Sequence, residues 1–187
     1  DLVKAHGPLP VGTAVNCILH AAQGLQHAHA PGVTHRDGKP ANLLLDRQGN
    51  VRVLDLGLAR ISRDADAAEN AATRSALTQT GAVLGTVDYM SPEQALNTRK
   101  ADHRSDVYSL GCTLGFLLTG KPPYQGETVM EVLVAHREQP IPSLRTGRDD
   151  VPARLDQIYR KCLAKKPADR YPSMEELVAE LGSCKGE

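Results

Sequence analysis

The chain has 187 residues, of which 41% are hydrophobic and 24% charged, as in an ordinary globular domain, which excludes the disordered, collagen-like and disulfide-scaffold classes. Lysine plus arginine and aspartate plus glutamate number 22 each, so the totals lack the basic excess of a nucleic-acid-binding protein, and we expect no nucleic-acid partner. The longest apolar-looking stretch, Val107 to Leu118, is shorter than the roughly 20 residues of a membrane span, so no membrane segment is expected in this chain.

The first half of the chain predicts one helix followed by short strands. Apolar residues recur with helical spacing from Val11 to Leu25, which predicts a helix that ends before Pro31-Gly32. Short apolar runs occur next at residues 33–34, 43–45 and 51–54. The last two runs flank a turn-rich segment and predict a β-hairpin. Residues beyond it, 61–82, have no clear apolar period and are predicted to form a long loop.

Helical spacing returns in the second half of the chain. It predicts helices over residues 107–118, 129–135, 155–163 and 174–181. Ser173 and Glu176 have the spacing of a capping box at the start of the last helix. Together the elements predict an α+β fold that is mostly α, a helical bundle with one small β-hairpin.

The cysteines and the N-terminus bear on the compartment. The four cysteines contain no C-x-x-C pair, so reduced, buried thiols are expected rather than a zinc site or a redox centre. No basic region followed by an apolar run begins the chain, so no signal peptide is expected. These features predict a cytoplasmic protein, with any membrane tether lying outside this chain.

The segment with the most chemistry is residues 35–42, HRDGKPAN, which lies between the first helix and the hairpin. It fits the pattern H-R-D-x-x-x-x-N of the protein-kinase catalytic loop. Taken alone, Asp37 and Asn42 also fit ordinary turn residues. The interpretation therefore depends on whether the other motifs of that family occur further along the chain.

Further motifs occur in the order and spacing of that family. Asp55-Leu56-Gly57 is similar to D-F-G, and the segment from Gly85 to Glu93 ends in Ser-Pro-Glu, similar to A-P-E. The segment from Asp106 to Gly111 is similar to the central helix of the family, and the segment from Asp169 to Ser173 is similar to its arginine motif near the C-terminus. The chain resembles, over essentially its whole length, the C-terminal lobe of a bacterial-type serine/threonine protein kinase. This resemblance implies a kinase-like C-terminal lobe over residues 1–187, with an activation segment over residues 55–93.

The elements that cover ATP in this family are not found in the sequence. No G-x-G-x-x-G-x-V motif and no V-A-I-K lysine precede the catalytic loop. We therefore expect the N-terminal lobe to be absent from this chain and to be a missing partner or upstream segment. The isolated chain is expected to have little or no activity.

The resemblance assigns catalytic roles to three residues. Asp37 would accept the proton of the attacking Ser or Thr hydroxyl of a protein substrate. Lys39 would neutralise the transferred γ-phosphate of ATP. Thr86 would bridge Asp37 and Lys39 beside the substrate.

The resemblance also implies ATP and Mg²⁺ as cofactors. Asn42 and Asp55 would supply oxygen ligands to Mg²⁺, a hard cation that prefers such donors. Lys39 would contact the nucleotide phosphate, and Leu44 would form an apolar floor under the adenine.

Regulatory and structural roles are carried over in the same way. Arg36 would pair with a phosphate on the activation segment, which offers Thr73, Ser75, Thr78 and Thr80 as carriers; Thr78 and Thr80 are favoured because they are closer to Thr86 in the sequence. His35 would be structural, and Glu93 and Arg170 would form a buried ion pair. Asp106 would accept hydrogen bonds from catalytic-loop amides.

Two other functions are compatible with parts of the sequence. One is a truncated kinase lobe that acts as a docking or regulatory module without catalysis, its open apolar face covered by a partner. The other is a metal-dependent hydrolase that uses His35, Asp37 and Asp55, for which the sequence offers no surrounding histidine-rich constellation.

Overall fold

The computed structural model describes residues 2–46, 48–54, 60–61, 84–98 and 101–184. The helices are α1 (Leu2–His6), α2 (Val11–His29), α3 (Leu84–Val87), α4 (Pro92–Leu96), α5 (Arg104–Thr119), α6 (Val129–Glu138), α7 (Ala153–Cys162) and α8 (Met174–Ser183). The strands are β1 (Val33–Thr34), β2 (Leu43–Leu45), β3 (Val51–Val53) and β4 (Arg60–Ile61). The described part of the chain is thus mostly helical with small antiparallel sheets, an α+β fold.

The strands form two antiparallel pairs that bracket the HRDGKPAN segment. Strands β2 and β3 form the predicted hairpin, with Leu43 opposite Val53. Strand β1 pairs with β4, with Val33 opposite Ile61, and this second pair was not predicted. The HRDGKPAN segment therefore leaves one strand pair and enters the other, which fixes both of its ends.

The core lies between α2, α5, α7 and α8. Helix α2 packs against α5, α8 and strand β3, and α5 packs against α7. The core is aliphatic, as the composition predicts, with buried tyrosines such as Tyr108 and Tyr159 added. No helix in the described part of the chain has both the length and the apolar character needed to cross a membrane.

Helix α5 is the central element of the fold. Every residue from Ser105 to Leu118 is buried, so the helix has no solvent face. Gly111 permits α7 to approach closely, because a Cβ at this position would lie 2.6 Å from the Cβ of Cys162. The polar side chains between Ser105 and Leu118 are therefore available only to other parts of the protein.

Candidate active site

Two side chains of the loop between β1 and β2 converge on the carboxylate of Asp37. Lys39 Nζ lies 2.9 Å from Asp37 Oδ2, and Asn42 Nδ2 donates to the same oxygen at 2.9 Å. Asn42 Nδ2 also donates to the main-chain oxygen of Asp37 at 2.8 Å. Lys39 Nζ donates to Thr86 Oγ1 at 3.0 Å, so Lys39 is the residue that contacts both Asp37 and Thr86.

His35 is held by the main chain on both sides of its ring. Its Nδ1 accepts a hydrogen bond from the amide of Asp37 at 3.2 Å, and its Nε2 lies 3.0 Å from the carbonyl of Leu54. An accepting Nδ1 requires the proton on Nε2, which then donates to Leu54. Because both nitrogens serve the backbone, this ring braces the catalytic loop against the hairpin and is not placed as a metal ligand.

Asp106 anchors the HRDGKPAN segment to α5. Its carboxylate, which is fully buried, accepts from the amide of His35 at 2.9 Å and from the amide of Arg36 at 2.7 Å. His29 Nε2 lies 2.8 Å from the oxygen that His35 uses. No local pattern in the sequence predicts the role of His29, because its partner is 77 residues away.

Arg36 adopts a left-handed backbone conformation, with φ of 67°. A non-glycine residue in this region costs about 1–2 kcal/mol, and such residues cluster at functional sites. The surroundings hold it from several directions: Gln94 Nε2 donates to its carbonyl at 2.7 Å, and its own Nη2 donates to Ala101 O at 3.0 Å. The loop before Asp37 is thus fixed by neighbours rather than by its own preference.

Glu93 and Arg170 form a bidentate ion pair. The two guanidinium nitrogens lie 2.7 and 2.8 Å from the two carboxylate oxygens, and the Arg170 side chain is fully buried. Arg170 also donates to the carbonyl of Ala164 at 2.8 Å. Glu93, on α4, is the last residue of the predicted activation segment. The pair ties this end of the segment to Arg170, which precedes α8.

The remaining predicted residues are at the edge of the described structure or outside it. Leu44 lies on β2 with half of its surface exposed. Asp55, Thr78 and Thr80 lie outside the described residues, so their magnesium and regulatory roles stay predictions.

A cavity of about 390 Å³ opens beside Lys39 and Thr86. Phe116 of α5 and Tyr89, which lies beyond the end of α3, contribute to its wall. Asp88 also lines the cavity, and burial raises the pKa of its carboxyl to about 6. No local pattern in the sequence predicts this cavity, because its walls come from distant parts of the chain.

Comparison with known proteins bears on the whole chain. The family model for the protein kinase domain matches residues 1–181. The serine/threonine-protein kinase PknB of Mycolicibacterium smegmatis is 42% identical over 182 residues, which cover 97% of this chain and 28% of that protein. The PknB of Mycobacterium tuberculosis H37Rv is 41% identical over 182 residues, with the same coverage. The probable serine/threonine-protein kinase CE0033 of Corynebacterium efficiens is 40% identical over 185 residues, 97% of this chain and 27% of that protein.

Proposed function

The chain belongs to the protein kinase family and is similar to bacterial serine/threonine kinases, and from this premise we propose that it supplies the catalytic, C-terminal lobe for ATP-dependent phosphoryl transfer to Ser or Thr of proteins. It spans about 28% of the length of the curated relatives it matches, so activity and substrates are part of the proposal. The proposal is carried by the convergence of Lys39 and Asn42 on the carboxylate of Asp37 and by the hydrogen bond from Lys39 to Thr86.

Phosphoryl transfer depends on positioning and charge neutralisation more than on covalent chemistry by the protein. Asp37 accepts the proton of the attacking hydroxyl, and Lys39 and Asn42 orient its carboxylate through Oδ2. The ammonium group of Lys39 adds positive charge where negative charge moves between donor and acceptor. Thr86, bonded to Lys39, fixes the position of that ammonium group.

The donor set fits Mg²⁺ bound with ATP. The amide nitrogen of Asn42 is used on Asp37, so its carbonyl oxygen is the atom suited to a hard cation. Asn42 and Asp55 would hold the ion, which when bound supplies charge neutralisation on the phosphates. Leu44, half-exposed on β2, offers an apolar surface for the adenine.

The glycine-rich and lysine elements of the nucleotide site would come from outside residues 1–187. Leu54, which is 42% exposed, adds to the apolar surface of Leu44 that such a segment would cover. Arg36 would pair with a phosphate on the activation segment, carried by Thr78 or Thr80, and this charge-assisted pairing would order the segment. The buried thiols of Cys112 and Cys162 support a reducing, cytoplasmic setting.

The test is transfer of labelled phosphate from Mg·ATP to Ser- or Thr-containing protein by the natural polypeptide that contains these residues. Asp37→Asn should lower the rate at least 100-fold, since a general base contributes about 10²–10⁴-fold. Asp149→Asn, the same change at an exposed carboxylate, should leave the rate unchanged. Full activity in Asp37→Asn would refute the assigned role, and no transfer by the wild-type polypeptide would favour the docking module.

A further inference from the structure

We propose that the cavity beside Lys39 and Thr86 binds an apolar side chain of the substrate polypeptide, so that the enzyme prefers Ser or Thr flanked by Leu, Ile or Met over sites flanked by Arg, Lys or Asp. The inference rests on the proposed function and extends it to a substrate class.

The position of the cavity makes it a site for a residue close to the phosphoacceptor. Lys39 and Thr86 form part of its wall, and Lys39 contacts Asp37 at 2.9 Å. A hydroxyl that reaches Asp37 therefore brings the neighbouring residues of its own chain to the mouth of the cavity. The volume, about 390 Å³, is within the range of pockets that enclose organic ligands.

Apolar groups make up the larger part of the wall of the cavity. Pro40, Pro122, Phe116 and Tyr89 contribute to it. The rings of Phe116 and Tyr89 meet edge to face with their centroids 6.3 Å apart, and both residues are 8% exposed. Ser109 of α5 donates to the carbonyl of Tyr89 at 2.7 Å, so the ring is held from behind. A preformed apolar wall favours an apolar side chain by removing its surface from water.

The charges of the wall do not favour either sign. The ammonium group of Lys39 is offset by the carboxylate of Asp37, 2.9 Å away, which leaves the ammonium group of Lys4 and the carboxylate of Asp88 as wall charges of opposite sign. A charged substrate side chain of either sign would meet a like charge as well as an unlike one, while losing part of its hydration. An apolar side chain meets neither cost.

The experiment measures binding and phosphorylation of matched peptides. Each peptide carries one Ser in an alanine background, with Leu, Arg or Asp placed in turn at one neighbouring position. Fluorescence anisotropy gives the dissociation constants for the natural polypeptide that contains residues 1–187, and the same peptides are assayed for phosphorylation. When the varied position is the one that reaches the cavity, the Leu peptide should bind about tenfold more tightly than the all-Ala peptide, the discrimination expected of a small apolar pocket. Arg and Asp should bind no more tightly than Ala.

A variant at the wall supplies a gain that misfolding cannot imitate. Ala41 lines the cavity and is exposed, so Ala41→Glu adds a carboxylate without disturbing the core. The affinity for the Arg peptide should rise about threefold, as for an exposed ion pair. Ala153→Glu, at an exposed alanine that does not line the cavity, should leave all affinities unchanged.

The outcomes separate this inference from the proposed function. Phosphorylation of all peptides without a preference for Leu would overturn the inference and leave the function intact. Selective binding of the Leu peptide without any phosphorylation would support the cavity and refute the function. Equal affinities for every peptide, or a preference for Arg or Asp in the wild type, would overturn the inference.

Discussion

Replacing Asp106 by Asn should destabilise the protein strongly, although the two side chains have nearly the same shape. The carboxylate accepts three hydrogen bonds while fully buried: two at Oδ2, from His35 N and His29, and one at Oδ1, from Arg36 N. Asn has one oxygen. If that oxygen faces Arg36, two bonds are lost; if it faces His35 and His29, an NH₂ group meets the Arg36 amide, 2.7 Å from the present oxygen.

Hydrogen bonds to charged groups contribute about 1.5–3 kcal/mol each, so losing two should lower the free energy of unfolding by about 3–6 kcal/mol. That is a large part of the ~5–15 kcal/mol typical of a domain. Urea unfolding followed by circular dichroism measures the loss as a lower midpoint at a similar slope. The control is Asp102→Asn, whose ion pair with Arg104 is part-exposed and should contribute less than about 1 kcal/mol. Equal losses in the two variants would refute the anchoring role of Asp106.

Three further predictions concern the core. Burial lowers the pKa of His136 to about 4. Because only the unfolded chain takes up a proton at this residue between pH 6.5 and 4, the free energy of unfolding should fall by up to about 3 kcal/mol over that range. Urea unfolding at several pH values measures this dependence, which should be weaker in His136→Asn; the same dependence in the variant would contradict the prediction. Gly111→Ala places a Cβ 2.6 Å from a Cβ of α7 and should lower the free energy of unfolding by about 1–3 kcal/mol. The control, Gly24→Ala, places a Cβ at an ordinary 3.4 Å from a side chain of β3 and should raise the free energy of unfolding by roughly 0.5–1 kcal/mol. A Gly111→Ala variant as stable as the wild type would contradict the close packing of α5 and α7. Arg170→Met should lower the free energy of unfolding by about 3–5 kcal/mol, because it removes the ion-pair partner of the part-buried Glu93 carboxylate. In a double-mutant cycle with Glu93→Leu, the double variant should lose less stability than the two single variants together. Additive losses would mean that the two side chains are not coupled.

The elements with a strong period or a clear end signal could be predicted from the sequence. The helix predicted from Val11 spans Val11–His29, and the hairpin occupies residues 43–45 and 51–53. The Ser173 hydroxyl accepts from the amide of Glu176 at 3.2 Å, as its capping spacing predicts. Helix α6 extends to Glu138, beyond the predicted end at Ala135, because its last turn is polar and carries no apolar period.

Features that depend on distant partners could not be predicted. Strands β1 and β4 are each two residues long and pair across the catalytic loop and the hairpin, so neither has a periodic pattern. Gln94, whose side chain donates to Arg36 O, is separated from it by 58 residues. The candidate site was found from motif order alone, while the groups that hold it in place, His29 and Gln94, have no motif of their own.

The sequence of α5 nevertheless contains one pattern that indicates how the candidate site is held in place. Asp106, Ser109 and Thr113 are spaced three and four residues apart, which places them on one face of a helix. Asp106 binds the amides of the catalytic loop, Ser109 donates to Tyr89 O at 2.7 Å, and Thr113 donates to Gly38 O at 2.8 Å. A Cβ at Gly38 would lie only 3.2 Å from the Cβ of Ser109, so the loop rests directly on this face. Because one buried helix holds both the loop of Asp37 and the segment of Tyr89, it fixes the distance between Asp37 and the cavity that Tyr89 lines. Polar residues at helical spacing inside an otherwise apolar, buried helix therefore indicate a surface that positions loops.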